Sequence, residues 1–318
     1  MSVYTPLTLA DIQPWLVRYG LQAGHTLTPI KGGIENSNFF LTLADGRELV
    51  LTVFEELDAD EAAFLGPLLA HVAAAGLPVA EPLADRSGGY LTSLAGKPAQ
   101  LAPRLSGAHA VAPNHAQCHA LGGTLANLHL ALSGHPLQRP NAHGAAWWNA
   151  LAEKWRPRLD ADDQTLLDAL LARYAATLAA WPALPAGLIH GDLFRDNVLF
   201  DGSHVSGLLD FSECGHDHWL LDIAITINDF CRDWPQEQPD AQRRKAFLDG
   251  YAQRRPLTLA ETSALPVFLA VSAMRFWLSR LDINARNRSE QRQGEHITEK
   301  DPAEMRRLAA LLLKAAPD

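Results

Sequence analysis

Apolar residues alternate with polar ones through much of the first third of the chain, and recur every three to four positions through most of the rest. The two periods predict strands first and helices afterwards. Residues 8–19 read as an opening helix, with Thr8 and Asp11 in capping-box spacing and Gly20 suited to the C′ position. Residues 38–43 and 48–54 read as strands joined by an Asp45-Gly46 turn. A helical stretch at 60–75 stops at Gly76, and two further strands follow at 89–94 and 97–105. Long helices are then predicted at 114–132, 147–158 and 163–181. A short β island at 188–190, 198–200 and 205–210 turns through Asp201-Gly202. Helices resume at 219–230, 243–254, 259–281 and 302–314. The expected organisation is an α+β chain: a β-rich lobe over residues 1–105 and a helical lobe over 106–318. The hinge should lie near Arg104 to His109, where Pro103, Ser106 and Gly107 break the pattern.

Composition narrows the function. The chain has 318 residues and is 47% hydrophobic, enough to fill a sizeable core. Its net charge of -9 argues against general nucleic-acid binding, which needs a basic face. Cys118, Cys214 and Cys231 are too sparse for a disulfide framework. The first residues lack the charged and apolar regions of a signal peptide, and charged residues or prolines such as Arg173, Pro182 and Arg275 interrupt every apolar stretch. A soluble, cytoplasmic protein with no membrane partner is expected.

The chemistry concentrates in His190-Gly191-Asp192-Leu193-Phe194-Arg195-Asp196-Asn197, a loop leaving one predicted strand and entering another. Phosphoryl transfer needs a carboxylate that orients a hydroxyl and accepts its proton, and hard oxygen ligands for Mg²⁺. Asp192 suits the first role and Asn197 the second, with Gly191 allowing a sharp backbone path and His190 bracing the loop. Gly207-Leu208-Leu209-Asp210-Phe211 ends an apolar strand on one carboxylate, a second metal ligand. Further upstream, Lys31-Gly32-Gly33-Ile34-Glu35-Asn36-Ser37-Asn38 offers glycines for close backbone approach and donors for the phosphates of ATP: Lys31, Gly32, Gly33, Asn36, Ser37 and Asn38. No GxxxxGK[ST] or GxGxxG pattern is present, against P-loop and dinucleotide-binding enzymes.

The HGDxxxxN loop at 190–197 resembles the catalytic loop of the aminoglycoside phosphotransferases and their relatives. That resemblance implies a protein-kinase-like, two-lobed fold, with residues 1–105 as the nucleotide-binding lobe and 106–318 as the catalytic, substrate-binding lobe, and ATP with Mg²⁺ as cofactors. Leu208-Leu209-Asp210-Phe211 resembles that family's metal-binding segment, and Asp222 its helix-opening acid, which braces the catalytic loop. The family's strand lysine is missing, since Thr52 stands at the matching position, and Glu61 is the nearest match for its helix glutamate. Residues 32–40, 49–55, 273–281 and 301–307 resemble the homoserine kinases of this superfamily, implying phosphorylation of L-homoserine on the path to threonine. A homoserine pocket must hold an ammonium and a carboxylate. Asp217 or Glu213 suits the ammonium, and Arg275, ahead of Arg280, the carboxylate. Cys214, His216 and His218 alternate as metal ligands can, but no fourth ligand is near. A kinase for choline, ethanolamine, methylthioribose or an aminoglycoside, and a nucleotide-binding pseudokinase, are the competing possibilities.

Overall fold

Helix α1 (Leu9–Leu16) begins where the sequence says it should: Asp11 Oδ2 accepts both the Thr8 N–H (2.7 Å) and the Thr8 hydroxyl (2.6 Å). The structure is a computed structural model, describing residues 5–30, 36–233, 236, 238–289 and 300–316. The chain divides into two units. One runs up to Gly107 and regains Ser206–Ser212; the other holds Ala108–Val205 and the described residues from Glu213 onward.

In the first unit, β1 (Gly24–Pro29), β2 (Asn36–Leu43), β3 (Glu48–Phe54), β4 (Thr92–Leu94) and β5 (Lys97–Pro103) form one antiparallel sheet in the order β1-β2-β3-β5-β4. Register places Asn38 opposite Thr52, and Thr52 opposite Gln100. Period-two alternation gives the sheet two unlike faces. Phe39, Leu41, Leu43, Leu49, Leu51, Val53, Ala99 and Leu101 turn toward Ile12, Trp15 and Leu16 of α1. Each fully buried Leu there contributes about 1.5–3 kcal/mol. Asn36, Asn38, Phe40, Val50, Thr52 and Gln100, offset by one residue, belong to the opposite face. The helix expected at 60–75 is interrupted, as α2 (Ala59–Ala62) and α3 (Leu65–Ala74). Pro67 explains the break, because its ring excludes the carbonyl four residues earlier and it offers no N–H.

The second unit opens with α4 (His115–Leu132), α5 (Ala145–Trp155) and α6 (Ala161–Ala180). Next come β6 (Ala186–Ile189), β7 (Val198–Asp201), β8 (His204–Leu208, completed in the first unit) and β9 (Gly215–His218). It closes with α7 (Trp219–Phe230), α8 (Ala241–Ala252), α9 (Leu259–Ser289) and α10 (Pro302–Ala315). Strand β9 pairs antiparallel with β6, setting His216 opposite Leu188 and Asp217 opposite Gly187.

Helix α9 corrects one expectation. By length and composition Leu259–Arg288 could cross a membrane, although no stretch was expected to reach that threshold. Yet 72% of its most apolar window is buried inside the protein, where the helix packs on α5, α6, α7 and α10.

Candidate active site

The loop after β6 is held by its backbone. Asp222, in the first turn of α7 and fully buried, accepts the His190 N–H at 2.8 Å and the Gly191 N–H at 2.9 Å, one on each carboxylate oxygen. His129 Nε2 lies 3.0 Å from Asp222 Oδ2, and His129 Nδ1 lies 2.8 Å from the Tyr251 hydroxyl. The set is satisfied when Tyr251 donates to Nδ1 and Nε2–H donates to the carboxylate. Burial pushes the Asp222 carboxyl up, but the bond from His129, the nearby His190 and the Gly191 N–H outweigh it and hold the group below its ordinary value. Two turns along the same helix face, Asp229 accepts the Arg195 N–H (2.8 Å) and Nε–H (3.0 Å). Burial raises the Asp229 carboxyl above its usual range. One helix thus pins both ends of the loop.

Gly191 adopts φ +82, and a Cβ there would lie 2.9 Å from the Glu213 carbonyl oxygen. Only glycine meets both conditions. On the other side, Arg275 Nη1 donates to the Gly191 carbonyl at 2.8 Å. Within this frame Asn197 Nδ2 donates to the Asp192 carbonyl oxygen at 2.8 Å and stands 3.3 Å from Asp192 Oδ2. His190, fully buried, presents Nδ1 to the Asp192 N–H at 3.3 Å. Asp192 and Asn197, predicted five residues apart on one loop, are therefore side-chain neighbours, and both are partly exposed.

A second group of polar residues lies against β9. His216 N–H donates to the Arg139 carbonyl (2.7 Å) and Asn141 N–H to the His216 carbonyl (3.2 Å), so residues 139–141 are laid along the strand. Gly215 permits this, since a Cβ there would meet Pro140 O at 2.8 Å. The packing brings Arg139, Asn141 and His143 beside Glu213 and Asp217. Arg139 Nη1 donates to Cys214 O at 2.5 Å, Asn141 Nδ2 donates to Asp217 Oδ2 at 2.8 Å, and His143 Nδ1 bonds Glu213 Oε2. Burial raises the Glu213 carboxyl, but His143, Arg275 and Arg139 outweigh that and hold it below its usual range.

Several predicted roles need correction. Arg275 is 3% exposed and donates to the loop carbonyl, with Glu213 Oε2 at 3.9 Å, so its described contacts are with the protein itself. Arg280 is spent on Asp301 O (2.8 Å) and Glu304 (2.6 Å). Asp217 has both oxygens engaged, by Asn141 Nδ2 and by the His218 N–H. Cys214 is fully buried with its thiol pushed up to about 12 by desolvation, and His216 Nε2 faces Leu137 O. Among the described residues no cluster of His, Cys, Asp or Glu forms a metal site.

In the first unit, Asp210 sits just past β8, exposed, at φ +53, with Ser212 Oγ on its Oδ1 at 2.6 Å. A non-glycine residue in that conformation is uncommon, and it suits the short polar side chain of Asp. Lys31, Gly32 and Gly33 lie outside the described residues. Asn36 and Asn38 are on the half-buried face opposite α1, and Asn38 Oδ1 accepts the Thr52 hydroxyl at 2.8 Å. Ser37 corrects the expectation of a phosphate donor: it is fully buried on the α1 face, bonded to Glu55 and accepting the Thr5 N–H at 3.1 Å. Glu55 in turn pairs with Lys97 of β5. Lys97 has the parity of Ala99 and Leu101, so the unit's one described lysine stands on the wrong face to replace the residue missing at Thr52. Glu61 caps α2 by accepting the Asp58 N–H at 3.0 Å, and among the described residues it pairs with no lysine.

The model of the phosphotransferase enzyme family matches residues 26–257. The chain belongs to that family. This phosphotransferase is 38% identical over 319 residues to a homoserine kinase of Janthinobacterium sp., covering 99% of this chain and 97% of that protein. It is 42% identical over 304 residues to a homoserine kinase of Pseudomonas aeruginosa, covering 96% and 94%. Among solved structures, a microcompartment-associated aminopropanol kinase matches with TM-score 0.69 at 19% identity, covering 97% and 96%. The amicoumacin kinase hAmiN, in complex with AMP-PNP, Ca²⁺ and Ami, matches with TM-score 0.67 at 19% identity, covering 96% and 94%. The fold is that of the kinase-like phosphotransferases.

Sequence reasoning missed His129, Tyr251, Arg139 and His143. His129 left a trace: it interrupts the buried stripe Leu121, Leu125, Leu132 of α4, where an unpaired polar side chain would be costly. The others lie far from the loop in sequence and carry no local signal.

Proposed function

We propose that the chain is an ATP-dependent kinase that phosphorylates the side-chain hydroxyl of L-homoserine. The observation carrying this is the Asp192–Asn197 pair on a backbone-clamped loop, in a chain matching homoserine kinases along nearly its whole length. Asp192 is the proton acceptor: its carboxylate orients the attacking hydroxyl and takes its proton as the bond to phosphorus forms. Asn197 uses its amide nitrogen on Asp192, which leaves its amide oxygen for a cation. Asn197 and Asp210 would hold Mg²⁺, and an amide oxygen with a carboxylate is the hard donor set that ion takes. The bound ion supplies neutralisation of charge on the transferring phosphoryl group.

His190 braces the loop. Asn36 and Asn38 serve the nucleotide from the sheet face opposite α1, and with Thr52 donating to its oxygen Asn38 has an NH₂ group to offer an anion. Lys31 and the backbone of Gly32 and Gly33 are the remaining phosphate donors. Glu213 takes the substrate ammonium: His143 and Arg275 both address Oε2, leaving Oε1.

A coupled ADP-release assay tests the proposal. Mg²⁺-dependent turnover of L-homoserine is expected, with kcat in Asp192→Asn down by about 10²–10⁴-fold and an unchanged melting temperature. Turnover of other amino alcohols but not homoserine would overturn the substrate, and an active Asp192→Asn would overturn the role of Asp192.

A further inference from the structure

Cys118 and Cys231 take no part in the chemistry proposed above, yet the fold puts their side chains together. We infer that they form a reversible disulfide when the protein meets a peroxide, a modification that ties α4 to the end of α7 and slows phosphoryl transfer. The thiol chemistry is independent of the homoserine proposal; only its rate readout rests on that reading.

Four observations support the site. First, Cys118 lies in α4 and Cys231 at the C-cap of α7, and the two buried thiols are hydrogen-bonded to each other. Cys118 Sγ also stands 3.8 Å from the carbonyl oxygen of Phe230, the residue before Cys231. Second, the chain around the pair is held. Arg243 donates to the Pro113 carbonyl at 2.8 Å and to the Arg232 carbonyl at 2.7 Å, joining the segment ahead of α4 to the segment after α7. Third, Cys231 lines a cavity of about 70 Å³ with Asp240, Arg244, Leu308 and Leu312, ample for a molecule little larger than water. Fourth, the surroundings favour one thiolate in the pair. The hydrogen bond from Cys231, with the charge of Arg243, holds the Cys118 thiol below its ordinary value against burial and Asp240. The same bond and burial push the Cys231 thiol well up, so it keeps the proton.

In the first step Cys231 passes its proton to ionised Cys118, and its sulfur attacks one oxygen of hydrogen peroxide. The O–O bond breaks, hydroxide leaves, and Cys231 becomes a sulfenic acid. The Cys118 sulfur then attacks the Cys231 sulfur while its proton goes to the departing oxygen. An S–S bond forms, the S–O bond breaks and water leaves, so one peroxide is reduced and two thiols are oxidised. Helix α4 has little freedom to yield to the new bond. One turn from Cys118, a Cβ at Gly122 would lie 2.0 Å from the Phe247 carbonyl oxygen of α8. The tie therefore acts on α7, whose Asp229, two residues before Cys231, holds Arg195 of the catalytic loop.

The test treats the full chain with hydrogen peroxide, quenches with catalase, and maps the cysteines by peptide mass spectrometry before and after reduction. A peptide pair linked through Cys118 and Cys231 should appear while Cys214, whose buried thiol is pushed up to about 12 by desolvation, stays reduced. The kcat for ADP release with homoserine should fall about fivefold or more, a typical coupling between two sites, and recover on reduction. In Cys118→Ala oxidation should stop at a Cys231 sulfenic acid, trapped with dimedone, and the effect of peroxide on kcat should be lost. No linked peptide in the unaltered protein, or oxidation of Cys214 as fast as the pair, would overturn the inference. A linked enzyme with unchanged kcat would overturn the action of the tie on the catalytic loop. Neither result touches the kinase proposal. An untreated enzyme inactive with homoserine would overturn the substrate, and the peptide map would still decide the disulfide.

Discussion

Asp222→Asn removes one charge and almost no volume from the most heavily bonded carboxylate of the catalytic loop. Asp222 accepts three hydrogen bonds: Gly191 N–H on Oδ1, and His190 N–H and His129 Nε2 on Oδ2. An amide has one acceptor oxygen. In its better orientation Asn keeps the two bonds made by Oδ2 and turns its NH₂ toward the Gly191 N–H. The loss is then one charge-assisted bond, about 1.5–3 kcal/mol, plus a buried unsatisfied N–H costing about 1–3 kcal/mol. The sum, about 2.5–6 kcal/mol, is a large share of a typical folding free energy of about 5–15 kcal/mol. It should appear as a drop in melting temperature on the order of 5–10 °C, followed by the fluorescence of the chain's eight tryptophans. Because Gly191 sets the path into Asp192, kcat should fall about 10²-fold as well.

The pH dependence gives an independent check. The Asp222 carboxyl is held below its ordinary value in the folded state, so its stabilisation is present above an unfolded value of about 4 and is lost as pH falls through the folded one. The stability gap between the parent and Asp222→Asn should therefore narrow on acidification from about pH 5 to about pH 3. A variant within about 0.5 kcal/mol of the parent at pH 7, or a gap that widens in acid, would refute the account of this anchor.

Arg275→Lys should lower kcat about 10- to 100-fold with homoserine and 3-aminopropan-1-ol alike, since an ammonium cannot reproduce the donor held at Gly191 O, a charge-assisted bond of about 1.5–3 kcal/mol; an effect confined to homoserine KM would return Arg275 to substrate binding. Lys97→Met should cost about 1–2 kcal/mol of stability by removing the partner of Glu55, yet leave the KM for ATP unchanged, because the pair lies on the α1 face of the sheet; a tenfold rise in that KM would place Lys97 at the nucleotide after all.

The legible part of the molecule was the part with local signals. Capping residues fixed the starts of α1 and α10, and alternation fixed β2 and β3. The five-residue spacing in one loop was enough to put Asp192 beside Asn197. Strand β9 was weighed only as an alternation of Cys and His, because its partner β6 lies about thirty residues away and its own side chains are polar. The contacts of Arg275 and Arg280 were not legible for a related reason: both carry helix spacing but no mark of burial. That burial comes from Gly191 and Glu304, neither near them in sequence. Which face Lys97 occupies could be derived only after the register of β3 with β5 was known.

Helix α9 also shapes how this enzyme can change over time. Arg275 reaches the catalytic loop, Arg280 reaches α10, and Asp282 receives the Trp155 indole N–H of α5 at 3.2 Å. A lesion anywhere along this helix is felt by several neighbours together. Second-site revertants of an Arg275 defect should accordingly cluster at the helix's distant partners, and neutral drift within it should be slow even at positions remote from the chemistry.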